Sequence, residues 1–428
     1  MSKNILVVGF TFILGYSSLS SLIAQNTVNV NSVQTELQLN TITTAVPFMM
    51  ISPDSRSGGL GDAGVSTSPD AFSMHWNPSK LAFIEGSGGV SMSYSPWLRN
   101  LVGDISLSYV TGYFRLSKIA TLGTSLRYFS LGDITFTDVN GGVIGNFKPN
   151  EFAFDVAYAM QLSTNLSFGV SLRYINSNLT NGVTVDNNAT KPGQSIAADI
   201  SAYYFSDKFK LGDYDATFGA GMNISNIGNK MSYTDNQDND FLPTNLRLGP
   251  SLKLDFDDYN SMTFLIEANK LLVPTPALFL TDSTGTVVRD AGGNPVVVSG
   301  RDPNVSVVNG IVGSFSDAPG VVTGFNSDGS PIVESGSVLR EELREITLSA
   351  GVEYWYDKQF AVRLGYFYES PLKGNRQYLT VGLGLKLSVF GMDISYLAGN
   401  AQQNPLANTV RFSLRFNFDD FNQQNERN

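Results

Sequence analysis

Residues 166–174 read Leu-Ser-Phe-Gly-Val-Ser-Leu-Arg-Tyr, so every second side chain is large and apolar and those between are small or polar. Because successive side chains of a β-strand point to opposite faces, this alternation predicts a strand with one apolar and one polar face. The same alternation returns in 152–160, 246–256 and 410–418. The second face is small, hydroxylated or charged each time, which suits the watered or plugged lumen of a barrel.

Strands of this kind continue from about residue 87 to the end of the chain. We count fourteen, near residues 88–96, 103–115, 119–130, 150–161, 165–175, 194–205, 214–225, 244–256, 260–270, 345–356, 359–369, 377–389, 391–398 and 408–418. Most of them are long enough to cross a bilayer, for which a tilted strand needs about 9–11 residues. The count is even, as in bacterial single-chain barrels, and Tyr and Phe near the strand ends suit the aromatic girdles of such barrels.

The links between the strands alternate in length. Short links, at 117–118, 163–164, 257–259 and 357–358, alternate with longer ones, at 131–149, 176–193, 226–243, 271–344, 370–376 and 399–407. Outer-membrane barrels have short periplasmic turns and longer external loops, whereas a soluble sandwich has no reason to alternate in this way. The sequence therefore predicts an all-β transmembrane outer-membrane barrel over 87–418, with its short turns and both termini on the periplasmic side.

The composition excludes several classes of function. The chain contains 42% apolar residues, too few for a bundle of membrane helices, and it has no Cys and one His. The missing thiols exclude disulfides, thiolate metal sites and thiol nucleophiles, and a single imidazole leaves little scope for a histidine metal site. The net charge of −10 argues against a nucleic-acid partner, whose phosphates would require a basic surface. We expect no cofactor, no metal and no nucleic acid.

The residues that could carry chemistry have simpler interpretations. The glycine-rich stretch 58–64 lacks the strand and helix that a dinucleotide-binding turn requires. His75 is interpreted as a packed or hydrogen-bonded residue rather than a ligand. Asp155 and Asp255 have Arg or Lys on the same strand face, which favours lumen ion pairs over a catalytic pair. The sequence therefore predicts a protein that is not an enzyme.

The two ends of the chain are predicted to lie outside the barrel domain. Lys3, an apolar stretch over 5–14 and a terminal Ala24 have the order of a cleaved secretory signal peptide, 1–24. The apolar stretch is too short for the alternative, an anchor helix, which needs about 20 residues. Residues 25–44 are interpreted as an exposed leader, and 419–428 as a C-terminal tail.

The longest link, 271–344, leaves two possibilities open. It is either a functional external loop with some structure of its own or a hairpin missed within 286–333. We favour the loop, because binding elements concentrate on loops carried by rigid scaffolds. The candidate partner-binding residues in and beside it are Leu271, Leu272, Phe279, Phe315, Phe325 and Arg340.

Two neighbouring motifs near the N-terminus resemble a known family. One is Met-Ile-Ser-Pro-Asp-Ser-Arg-Ser-Gly-Gly-Leu-Gly-Asp-Ala-Gly-Val over 50–65, and the other combines Ser-Pro-Asp-Ala at 68–71 with His-Trp-Asn-Pro-Ser-Lys at 75–80. Both resemble the N-terminal region of the PorV family, outer-membrane proteins of the type IX secretion system. More distantly, the arrangement is similar to the FadL-type channels, fourteen-stranded barrels with an N-terminal hatch in the lumen.

The PorV resemblance implies a shuttle in the outer membrane, surrounded by its lipid. Such a protein would bind the C-terminal signal domains of cargo proteins at a translocon barrel of the SprA/Sov type. It would then carry the cargo to an attachment complex with a PorU-like sortase, to which the catalysis belongs. The alternative is a FadL-type channel for hydrophobic small molecules.

The FadL-type resemblance implies that residues 45–86 form the hatch, a plug inside the lumen. The hatch candidates are Asp54, Arg56, Asp62, His75, Trp76, Asn77 and Pro78.

Overall fold

The structure, a computed structural model, describes residues 40–98, 103–137, 142–180, 182, 184–185, 188–234, 239–282, 286–326, 330–399 and 408–418. The predicted signal peptide 1–24, most of the predicted leader 25–44 and the predicted tail 419–428 therefore lie outside the described residues. The rest forms an antiparallel barrel of fourteen strands with residues 45–86 inside it.

The fourteen strands follow one another around the barrel in chain order. They are β1 (Gly88–Pro96), β2 (Ser106–Arg115), β3 (Ala120–Ser130), β4 (Asn150–Gln161), β5 (Leu166–Asn178), β6 (Gly193–Phe205), β7 (Tyr214–Gly228), β8 (Asn245–Asp255), β9 (Asn260–Leu271), β10 (Thr347–Tyr356), β11 (Phe360–Tyr368), β12 (Gln377–Lys386), β13 (Phe390–Ala398) and β14 (Val410–Asn417). Pairing of β1 with β14, from Gly89 opposite Asn417 to Tyr94 opposite Phe412, closes the sheet. A closed sheet has no free edge, which a lipid environment requires, and the predicted fold class and strand count are confirmed.

The other elements are short and lie outside the barrel ladder or inside the lumen. Four α-helices are present in the described residues: α1 (Ser55–Gly58), α2 (Ser73–Trp76), α3 (Val307–Gly313) and α4 (Val338–Arg344). Two 3₁₀-helices span Pro47–Met50 and Pro78–Phe83. The small strand pairs are Ile134–Thr137 with Val143–Phe147, Thr184–Val185 with Asn188–Ala189, Leu278–Phe279 with Val297–Ser299, and Val322–Phe325 with Pro331–Val333. A further short strand, Phe209–Leu211, pairs antiparallel with the start of β7.

None of the helices in the described part of the chain is long and apolar enough to cross a membrane.

The two faces of each strand are separated as the alternation predicts. In β5 the large side chains from Leu166 to Tyr174 are exposed on the outside of the barrel, and Ser167, Ser171 and Arg173 between them are buried. The outer face therefore offers lipid a continuous apolar surface. The inner face packs against the hatch instead of an open channel.

The hatch runs through the lumen from one end of the barrel to the other. Asn40 donates its backbone N–H to the carbonyl of Leu372, in the link between β11 and β12, at the end where the long loops lie. At the other end, the carbonyl of Ala82 accepts a hydrogen bond of 2.8 Å from Gln161, next to a short turn. The expectation that the N-terminal residues lie with the turns is wrong for 40–44, because the hatch enters the barrel from the loop end.

Close packing of the hatch requires glycine on both sides at one point. Gly61 has a φ of +72°, a backbone angle that residues with a side chain rarely adopt. A Cβ placed on Gly365 of β11 would lie 2.0 Å from the backbone nitrogen of Gly61. These are backbone atoms, which cannot rotate away as a flexible side chain could.

Gly365→Ala is therefore expected to destabilise the barrel by about 1–3 kcal/mol through overpacking. The measurement is the temperature at which the purified barrel loses its compact form on a heat-modifiability gel. Gly145→Ala is the control, because no atom lies within 4 Å of its added Cβ. Equal transition temperatures for the two variants would contradict the tight contact.

Candidate functional site

The hatch is held to the barrel wall by buried charges. Arg56 of α1 donates two hydrogen bonds of 2.9 Å to the carboxylate of Glu353 in β10, and a third of 2.8 Å to Asp70. Arg363 of β11 donates to Glu353 at 2.8 Å and to Asp393 of β13 at 2.7 Å. Buried ions are stable only when they are paired and hydrogen-bonded, so this chain of ion pairs fixes the middle of the hatch.

Four other hatch candidates hold the hatch in its own shape. Asp54 caps α1 by accepting from the backbone N–H of Ser57, and its second oxygen accepts 2.6 Å from the indole nitrogen of Trp76. Asn77 caps the 3₁₀-helix that begins at Pro78, and its amide donates to Ala202 in β6 at 2.9 Å. Pro78 suits the first helical position, because a backbone N–H there would have no partner within the helix and proline lacks one.

The last two hatch candidates contact the wall near the loop end. The carboxylate of Asp62 accepts a hydrogen bond of 2.6 Å from the hydroxyl of Tyr378 and one of 2.8 Å from Arg411. His75 is buried and accepts 2.6 Å from Arg127 at Nδ1. The structure thus places all seven hatch candidates in structural contacts, with His75 packed as interpreted from the sequence.

The two lumen carboxylates singled out in the sequence also form ion pairs. Asp155 pairs with Arg173, which in turn pairs with Asp199 at 2.9 Å. Asp255 lies close to the turns and pairs with Lys253 at 2.7 Å and Lys208 at 3.1 Å. Among the described residues, no three His, Asp or Glu side chains come together in a way that could hold a metal ion.

At the loop end, the long loop is attached to the rim by a second buried cluster. Lys270 of β9 pairs with Glu345 at 2.7 Å and Glu342 at 3.0 Å, and Lys373 pairs with Glu341 at 2.8 Å and Glu345 at 3.1 Å. The three glutamates belong to α4 and the residue after it, and we call these five residues the rim clamp. Both lysines are nearly inaccessible to solvent, so the loss of one partner would leave a buried charge uncompensated, which costs more than the loss of a surface ion pair.

The N-terminal thread, residues 40–46, crosses the rim clamp. Asn40 donates its side-chain amide to Glu341 at 3.0 Å and to the carbonyl of Pro276 at 3.3 Å. Ala45 donates its N–H to the carbonyl of Phe241 at 2.9 Å. The thread therefore joins three external loops, which lie around 241, 276 and 372.

Each of the two loop helices carries exposed apolar side chains. Val308 and Val312 of α3 are 69% and 70% exposed, and Leu339 and Leu343 of α4 are 69% and 59% exposed. Each pair is four residues apart and so lies on one side of its helix. We call these four residues and Phe315 (53% exposed) the loop patch.

The loop-binding candidates are distributed unevenly. Phe315 and Phe325 are exposed, and Arg340 is exposed and paired with Glu334. Phe279 and Leu271 are partly buried, and Leu272 is buried, which corrects its assignment as a contact residue, since it packs under the loop. The described residues of the segment add no strand to the barrel but form a loop with structure of its own, whose strand pairs within 278–299 and 322–333 stand apart from the barrel sheet.

Sequence reasoning missed the four aliphatic members of the loop patch and the rim clamp. The i, i+4 spacing of 308 with 312 and of 339 with 343 was a usable signal for short amphipathic helices. Lys270 and Lys373 carried no comparable signal, because they lie about a hundred residues apart in the chain.

Glu345→Ala is expected to loosen the long loop without unfolding the barrel. The substitution leaves both buried lysines short of a partner, and breaking a buried pair costs about 3–5 kcal/mol. Cleavage of the loop by protease should therefore become faster by about two orders of magnitude, since local opening governs cleavage. Limited proteolysis followed by mass spectrometry measures it.

Glu334→Ala is the control for this variant, because it breaks the exposed pair with Arg340 in the same loop. An unchanged cleavage rate in Glu345→Ala would contradict the clamp.

Comparisons with known proteins identify a family for more than half of the chain. The model of the family described as "Type IX secretion system protein PorV" matches residues 34–278. No curated protein matches the sequence significantly.

Several solved barrels are similar in fold. The toluene transporter TodX of P. putida is 10% identical, over 89% of this chain and 99% of that chain, with a TM-score of 0.43. The toluene transporter TbuX of Ralstonia pickettii is 11% identical, over 88% and 97%, with a TM-score of 0.42. A FadL homologue of Pseudomonas aeruginosa is 11% identical, over 88% and 99%, with a TM-score of 0.41.

Proposed function

The chain belongs to the PorV family of type IX secretion system proteins, and on that premise we propose that it shuttles secreted cargo in the outer membrane. It binds the C-terminal signal domains of cargo proteins at the translocon barrel and delivers them to the surface attachment complex with its sortase. The protein itself is non-enzymatic in this proposal. The peptide-bond chemistry belongs to the sortase.

The observation that carries the proposal is the loop patch. Exposed apolar clusters of this kind on an external surface mark sites of protein contact. The rim clamp holds α4 in place, so less ordering entropy opposes binding than for a loose loop. A rigid apolar surface on the external side suits a folded domain that arrives from outside the barrel.

The closed lumen supports a shuttle over the alternative, a channel for hydrophobic small molecules. Leu60, Ala63 and Leu81 of the hatch are fully buried against the wall, and charged pairs fix the hatch at several depths. A transported molecule would have to displace these pairs, and each would leave a buried charge without a partner.

Co-purification from detergent extracts of the native membrane tests the proposal. Recovery of proteins with type IX C-terminal signal domains on the full-length barrel is the expected result. Recovery of fatty acids or hydrocarbons without cargo would instead establish the channel, and recovery of neither with an intact translocon would overturn the shuttle.

A further inference from the structure

A cavity of about 350 Å³ lies between the hatch and the external loops. Its roof includes Thr41 and Ile42 of the N-terminal thread, and its floor includes Asp62 and Trp76 of the hatch. Strands β8 to β12 supply one side. None of the loop-patch residues, to which cargo is proposed to bind, lines this cavity.

One wall of the cavity is polar and spans three strands. Arg247 of β8 lies directly opposite Asn269 of β9, which in turn lies opposite Thr347 of β10. Asn245 lies two residues from Arg247 on the same face and donates its amide to Asn269 at 3.4 Å. All four line the cavity and offer a cation, two amides and a hydroxyl.

The guanidinium of Arg247 lies farther from its nearest carboxylate than those of Arg363 and Arg411 do. Its nearest carboxylate oxygen, on Glu267, lies 3.8 Å away, and its contacts to His75 are 3.5 Å. Arg363 and Arg411, by comparison, have carboxylate contacts of 2.7 and 2.8 Å. A buried guanidinium with long contacts retains capacity for an anion.

A second group at the cavity is also unsatisfied. The hydroxyl of Ser52 is buried and has no hydrogen-bond partner among the described residues. Since buried polar groups are normally paired, it marks a place where a polar ligand atom could sit.

The part of the wall on β11 and β12 is aromatic. Phe367 and Tyr378 stack with ring centroids 4.9 Å apart, and Trp97 packs against them. All three line the cavity. The cavity thus offers the Arg247 guanidinium and flat aromatic surfaces, and the carboxylates of Glu345 and Glu369 in its lining are paired with Lys373 and Arg376.

The cavity is closed towards the membrane and the periplasm. The backbone ladders beside it are paired from Asn245 opposite Leu271 to Leu248 opposite Ala268, and at Phe367 opposite Tyr378; the β8–β9 ladder is interrupted further from the loops, at Gly249 and Pro250. The hatch closes its floor, where Asp62 is bonded to Tyr378 and Arg411. These contacts leave the external side as the route for a ligand, which suits the end of a docked protein better than a transported molecule.

We propose that this cavity binds the free carboxyl end of an extended peptide, with the carboxylate at Arg247 and an apolar side chain against Phe367 and Trp97. This inference rests on the proposed function, because the peptide in question is the chain end of a cargo signal domain docked on the loop patch. The carboxylate would replace the long contacts of Arg247 with charge-assisted hydrogen bonds.

Binding of synthetic peptides to the full-length barrel in detergent tests the site. The probe is N-acetyl-Ala-Val-Phe with a free carboxylate, compared with the same peptide ending in an amide, by isothermal titration calorimetry. We expect the amide to bind about tenfold more weakly or worse, the loss of one charged contact. Equal binding of acid and amide, or no saturable binding of the acid, would overturn the proposal.

Arg247→Gln should abolish the preference for the acid, while Arg289→Gln, which alters an exposed arginine of the long loop that lines neither the cavity nor the loop patch, should retain it. If Arg247→Gln fails to fold, the comparison of acid and amide on the unaltered protein still decides the question.

Capture of a whole cargo signal domain separates this inference from the proposed function. If the domain binds equally well after removal of its last three residues, the cavity site is wrong and the shuttle stands. If the tripeptide binds with the expected preference but the domain is not captured, the shuttle is wrong and the site stands.

Discussion

The double substitution Leu339→Ser/Leu343→Ser should reduce the secretion of type IX cargo by about tenfold or more. Each leucine buried in an interface contributes about 1.5–3 kcal/mol, so the pair accounts for a large part of a typical binding energy. The folded barrel should be unaffected, because both side chains are mostly exposed and exposed substitutions usually change stability by about 0.5 kcal/mol or less. The measurement compares cargo in the medium with cargo retained in the cell.

Two further variants sharpen this experiment. Deletion of 280–335 removes α3 but leaves α4 and the rim clamp, and it should block secretion while the barrel stays heat-modifiable. Val287→Ser alters an exposed valine of the same loop outside the patch and should secrete normally. Normal secretion by both the leucine variant and the deletion would show that the loop patch is not the cargo-binding surface.

Glu353→Ala should cause the largest loss of barrel stability of any single substitution considered for this protein, about 3–5 kcal/mol. Glu353 accepts hydrogen bonds from Arg56 and Arg363, both almost wholly buried. Without it, two guanidinium groups in the lumen lose a carboxylate that neutralises them, and water cannot reach them easily. The yield of folded barrel and its unfolding midpoint in urea measure the effect.

The exposed pair of Asp133 with Lys148 supplies the control. Asp133→Ala should change stability by about 1 kcal/mol or less, since exposed ion pairs contribute little. Glu353→Gln should lose less stability than Glu353→Ala, because the amide keeps the side chain's size and an oxygen that still accepts a hydrogen bond from Arg56 or Arg363. A Glu353→Gln variant less stable than Glu353→Ala would argue against these contacts as the cause.

The barrel could be predicted from sequence because its information is local. In β5 the alternation of large and small residues decides which face meets lipid, and the same rule applies strand by strand. The lengths of the links then order the strands and distinguish the two ends. The polar inner positions, such as Arg173, could also be assigned to the lumen in this way.

The ion-pair partners of these inner side chains could not be predicted from sequence. Arg56 and Glu353 are 297 residues apart in the chain, and no local pattern indicates which lumen carboxylate a hatch arginine meets. The same holds for Lys373, whose partners on α4 lie 28 and 32 residues earlier in another loop. The end of the barrel at which residues 40–44 lie was expected wrongly for the same reason, since contacts of Asn40 with distant loops decide it.

The sequence by itself thus determined an all-β barrel with fourteen strands and an apolar outer face. Strand periodicity and link length depend only on neighbours along the chain. Tertiary structure alone decided how the hatch is locked, where the N-terminal thread lies, and how the rim clamp holds α4. Those features arise when charges from distant segments are buried together, because a buried charge must be paired wherever its partner lies in the sequence.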